Sequence, residues 1–185
     1  MVFYLTLGIV VLILVWLVVM YNGLISLKNQ VQNAWQQIDV QLKRRHDLIP
    51  NLVNAVKGAM QFERDTLERV IGARNRAVSA KGAQEAAAAE KQLGQALSRL
   101  IALMENYPDL KSSPKVLQLQ EELTSTENRI GFARQLYNDL VARYNIKQQV
   151  FPTNLMAAGM GFALADYFRI EEAEKASPRV DLSLN

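Results

Sequence analysis

The sequence predicts an all-α protein, with a single N-terminal transmembrane helix followed by an antiparallel, four-helix-type helical bundle. Three observations predict it. Charged side chains make up 21% of the chain, yet none occurs before Lys28. Beyond that point apolar residues recur every seven positions in two offset rows, the signature of helices with one buried seam. No segment alternates with period two for long enough to make a strand.

Residues 1–22 read as the anchor. Between Val2 and Tyr21 only Thr6 and Gly8 are not strongly apolar or aromatic. Twenty residues rising 1.5 Å each cover about 30 Å, the hydrocarbon thickness of a bilayer. In lipid such a stretch must be helical, because every backbone amide needs an internal partner. Tyr4 near one end, with Trp16 and Tyr21 near the other, suits the two interfacial belts. A cleaved signal peptide fits poorly: no Lys or Arg precedes the run, the run is too long, and no small-residue cleavage site follows. Only Met1 precedes the span, whereas Lys28, Lys43, Arg44 and Arg45 follow it. The bias of cations toward the cytoplasm therefore favours an outside N-terminus and a cytoplasmic bundle.

Residues 23–150 read as the bundle. One apolar row is Leu24, Val31, Ile38 and Leu52, with Arg45 in the same register; the other is Trp35, Leu42, Ile49, Val56 and Val70, with Glu63 in register. Pro50 removes the helical hydrogen bond to the His46 carbonyl and disfavours helix at Ile49. The heptad phase passes through it unchanged, so either one helix is kinked there or two helices meet. A chain reversal is expected between Gly72 and Gly82. A helix over Gln84–Tyr107 follows, with Leu93, Leu97, Leu100 and Met104 on one stripe, and Pro108 stops it. Ser112-Ser113-Pro114 opens the last long helix, which runs to about Gln149. Short connections make neighbouring helices antiparallel.

Residues 151–170 read as a short amphipathic helical segment, with Met156, Met160, Leu164 and Phe168 near one face and Phe162 within it. It could dock on the bundle, on another subunit or on the membrane. Residues 171–185 read as a loose polar tail.

The residue inventory excludes most chemistry. There is no cysteine, hence no thiolate nucleophile, thiolate metal site or disulfide. Asp39 and the one histidine, His46, lie seven residues apart on one face, but Lys43, Arg44 and Arg45 oppose a divalent metal there. Phosphate loops and zinc-protease motifs are missing. The net charge of +3 is too small to mark a nucleic-acid binder despite a pI of 9.2. The expectation is a non-enzyme with no catalytic, cofactor-binding or metal-binding residue and no small-molecule substrate. The interaction candidates are Asp39, Lys43, Arg44, Arg45, Glu63, Met156, Met160, Phe162, Leu164 and Phe168. Arg45 and Glu63 occupy seam positions, so each either turns inward onto a partner or is rotated to water at Pro50.

Larger motifs now stand out. Tyr21-Asn22, Lys28-Asn29, Ala34-Trp35, the run Ile38 to Arg45 and Asp47-Leu48-Ile49-Pro50-Asn51-Leu52-Val53 resemble the signature of the LemA family. Val56-Lys57-Gly58, Glu63, Ala73-Arg74, Tyr137-Asn138, Tyr144-Asn145 and Phe151-Pro152 continue the likeness, as do Pro178 and Val180-Asp181, with Leu182 where an aromatic is common. The resemblance implies a bacterial inner-membrane protein with an outside N-terminus and a four-helix bundle, and it brings no catalytic residues. One branch of the family, in magnetosome-forming bacteria, is tied to forming membrane vesicles. The function expected is a membrane-bound scaffold that forms homo-oligomers and organises the bacterial envelope. Its rival is an adaptor that recruits an unidentified protein partner through the bundle.

Overall fold

The computed structural model describes residues 1–169; the tail expected over 171–185 lies outside them. Among the described residues six helices follow one another: α1 (Val2–Val56), α2 (Arg64–Ser79), α3 (Gly82–Met104), α4 (Pro108–Lys111), α5 (Pro114–Gln149) and α6 (Asn154–Ala157). No strand occurs among the described residues. These residues divide into two packed units, 1–42 with 126–167, and 43–125 with Phe168 and Arg169.

The first unit holds the anchor. The most apolar stretch of α1 has a mean hydropathy of 2.9, and none of it is buried by protein. Apolar side chains facing outward all round a helix need lipid as their solvent. Further along α1 the seam closes: Leu24, Val31, Ala34, Ile38 and Leu42 are buried, as are Ile130, Tyr137, Val141 and Tyr144 on α5. The Trp35 ring lies 5.5 Å from that of Tyr137. Each large side chain so buried contributes roughly 1.5–3 kcal/mol.

After α5 the chain departs from the expected amphipathic helix. The Phe151–Pro152 peptide is cis, α6 is a single turn, and Gly161 takes a left-handed φ of 78°. Residues 162–169 are not helical. Their polar backbone is met by side chains instead: Asn145 Nδ2 donates to the Ala165 carbonyl and its Oδ1 accepts from the Ala165 N–H, both at 2.9 Å. The Tyr137 hydroxyl donates to the Asp166 carbonyl at 2.8 Å. A primary amide that offers one donor and one acceptor mimics a neighbouring strand, so residues 162–167 form a strap on α5.

In the second unit α1 runs unbroken through Pro50, which settles the kink-or-corner alternative in favour of one helix. The break comes later, over residues 57–63, before α2. The heptad rows could not show it, because Val56 and Val70 are both fully buried in one core with Met60 between them. Leu93, Leu97, Leu100 and Met104 of α3 and Val116 of α5 complete that core. The α2–α3 reversal is tight, at Ala80–Lys81, and Gly82 takes a φ of 75° that a side chain would strain. The Glu85 carboxylate then accepts the Lys81 N–H at 3.0 Å, satisfying a donor at the start of α3. Pro108 opens α4 and Pro114 opens α5, each at the position where a missing N–H costs nothing.

Candidate functional site

The polar centre of the second unit grows from three buried groups. Arg45, His46 and Glu90 are only 7%, 7% and 5% exposed. Arg45 Nη1 donates to Glu90 Oε2 at 3.2 Å, and His46 Nε2 lies 2.6 Å from Glu90 Oε1. One carboxylate therefore ties two successive side chains of α1 to α3. Arg74 of α2 adds a third tie, because its Nε donates to the His46 carbonyl at 3.2 Å. That is the carbonyl Pro50 leaves without a helical partner, so the arginine offsets the orphan and the helix continues.

Such a knot fixes the register of three helices. A buried pair of this kind adds little net stability, but removing one member strands a charge in the interior. Among the described residues, no cluster of three or more His, Asp or Glu side chains could hold a metal ion. Arg45 thus takes the inward course with a partner, and His46 engages Glu90. Glu90 escaped the sequence reading although a signal existed. Carrying the stripe Leu97, Leu93 back one turn of α3 lands on Glu90, then on the buried Ala86 and Ala83.

The remaining interaction candidates are divided between the two units. Asp39 and Lys43 lie towards water, Asp39 exposed and Lys43 exposed in the next turn, and Arg44 is an exposed partner of Glu122 at 3.9 Å. Glu63 is partly buried and accepts the Tyr107 hydroxyl at 3.3 Å; burial, then the Glu63 charge, push that phenol up. Met156 and Met160 are half-buried and Leu164 is exposed, whereas Phe162 and Phe168 are buried.

The first unit carries an open groove of about 670 Å³ between α1 and α5. Asn33, Gln36, Gln37, Val40 and Gln41 line one wall, and Arg129, Phe132, Ala133 and Leu136 the other. Phe132 and Val40 are 73% and 62% exposed. The Gln41 Oε1 is buried without a hydrogen-bond partner. The groove is thus apolar and amide-lined, with one charge, Arg129, among its described lining residues.

Residues 34–182 match the LemA family, which covers both units and every helix from mid-α1 onward. The chain belongs to the LemA family. Among similar proteins, magnetosome protein MamQ 2 of Paramagnetospirillum magneticum is 26% identical over 190 residues, covering 89% of this chain and 70% of the relative. Protein LemA of Metamycoplasma hominis is 28% identical over 156 residues, covering 83% and 71%. Magnetosome protein MamQ of Magnetospirillum gryphiswaldense is 26% identical over 183 residues, covering 85% and 67%. With its apolar, lipid-ready span, this LemA chain is a membrane-associated protein. The motif residues of the resemblance have structural roles: Arg74 donates to the His46 carbonyl that Pro50 leaves open, while Tyr137 and Asn145 hold the strap.

Proposed function

We propose that this LemA protein is a non-enzymatic scaffold, anchored in the bacterial inner membrane, whose copies associate side by side and organise that membrane. The observation that carries the reading is the groove of the first unit. From Asn29 to Ile38 the α1 sequence has no charge, and the amide side chains of Asn29, Gln30, Gln32, Asn33, Gln36 and Gln37 are all exposed to solvent. Interface cores are depleted of charge and enriched in aromatic side chains; beside these amides the aromatic Phe132 and the apolar Leu136 are both exposed. Anchors in one membrane also raise the effective concentration of copies, so a modest surface suffices. The magnetosome relatives favour a membrane-organising role by analogy.

The cysteine-free chain makes a clean test. Phe132→Cys or Leu136→Cys in the full-length protein should crosslink copies in native membranes, while Lys81→Cys should not. Equal, weak crosslinking at all three positions would remove the reading. A second reading, recruitment of an acidic partner, draws on a groove of about 470 Å³ in the second unit. Its described lining residues include Arg69, Arg76 and Arg99 and no carboxylate. Reversing Arg69 and Arg99 to Glu should then lose one defined protein from pull-downs without changing crosslinking at Phe132.

A further inference from the structure

The corner where α5 turns into the strap carries apolar surface that no described residue covers. Phe151, Leu155 and Leu164 are 77%, 69% and 58% exposed, and Val150 is exposed beside them. Residues 148–165 contain no charged side chain. A water-facing corner of that length would ordinarily be polar.

Its position says what covers it. The Phe162 ring packs edge-on against Tyr21, 5.7 Å between centroids, and Tyr21 closes the apolar span. The spacing of the two helices gives the same level. α1 and α5 are antiparallel in this unit, with Trp35 beside Tyr137. Both rise 1.5 Å per residue, so Gln149, twelve residues beyond Tyr137, lies level with Gly23, twelve before Trp35. The corner therefore sits where α1 enters the hydrocarbon. By the same register the exposed Lys147 and Arg143 come level with Ile25 and Asn29, about one and two turns beyond Tyr21. The exposed Lys28 stands between those two levels, so three cations gather at headgroup height. Cations outside an apolar rim are the arrangement that a phosphate-bearing leaflet surface favours.

We propose that residues 150–164 are a second membrane contact: a non-spanning wedge, led by Phe151, Leu155 and Leu164, that lies in the bilayer interface beside the anchor. The protein then holds one leaflet at two places, and the wedge adds volume to that leaflet alone. Lateral association of copies is not required for this contact.

The test uses the full-length chain in vesicles of phosphatidylethanolamine and phosphatidylglycerol. Single cysteines replace Phe151, Leu155 or Leu164, all exposed and so replaceable without opening the core, and Lys81→Cys serves as the aqueous reference. Each carries a small fluorescent label. Nitroxides on the lipid acyl chains should quench the three corner labels severalfold more than the reference, and iodide in the buffer should quench them severalfold less. Iodide quenching equal to that at position 81, with no quenching from lipid, would overturn the proposal. So would protection from iodide without lipid quenching, together with disulfides between copies, since a second chain would then cover the corner. Crosslinking at Phe132 is scored in the same vesicles, so loss of self-association and loss of the wedge give separate readouts.

Discussion

Glu90 carries more of the second unit than its place in an alanine-rich run suggests. Its carboxylate is the shared acceptor for Arg45 and the partner of His46, all three side chains being nearly inaccessible to water. Glu90→Ala should destabilise the full-length protein by about 3–5 kcal/mol, because it removes the carboxylate that the buried Arg45 and His46 share. Urea denaturation followed by circular dichroism in detergent measures this, and Glu85→Ala, at an exposed position, should cost far less. The phenols give a pH-dependent counterpart. Burial pushes the Tyr137 and Tyr144 hydroxyls above the ordinary value of about 10, and the Asp166 charge adds to the effect at Tyr137. The folded state thus binds more protons than the unfolded state in alkaline solution. Their contribution is complete below about pH 10 and is lost as the pH rises through the raised values. Tyr144→Phe should leave neutral stability nearly unchanged and make the alkaline decline shallower, as read from denaturation midpoints at neutral pH and above about pH 10.

At the scale of elements, Pro50 and Arg74 form a testable pair. The arginine serves the carbonyl that the proline orphans, so Arg74→Met should cost on the order of 1 kcal/mol with Pro50 present. In a Pro50→Ala background the helical N–H returns, and the same substitution should cost markedly less; a double-mutant cycle gives the coupling. Equal costs in both backgrounds would show that Arg74 acts elsewhere. The sequence allowed much of this to be read: the span, the seams of α1 and α5, and the stop at Pro108 each follow from periodicity or punctuation. It left Pro50 open because the rescue comes from a residue on another helix. Two further features were hidden for the same physical reason. The turn after Val56 keeps the heptad phase because both flanking helices bury into one core, and the strap after α6 borrows its hydrogen bonds from Asn145 and Tyr137 on α5. Partners distant in sequence leave no local pattern. Asn145→Leu should accordingly free the strap, seen as faster amide hydrogen exchange over residues 162–167 with α5 unchanged.

For the whole molecule, the central claim is a membrane-anchored protein that assembles with its own copies. The anchor is self-sufficient: the most apolar stretch of α1 exposes its side chains all round, which only lipid can accept. A chain lacking residues 1–22 should therefore leave the membrane fraction on cell fractionation or keep only the weak hold of the apolar corner. The proposed assembly would draw on a different surface, the amide-lined groove between α1 and α5. Native mass spectrometry of the full-length protein released from mild detergent tests it most directly. The account predicts a defined multiple of the 20.8 kDa chain that collapses when Phe132 and Leu136 are both replaced by Asp. Monomers alone, at every concentration and in every mild detergent, would contradict it.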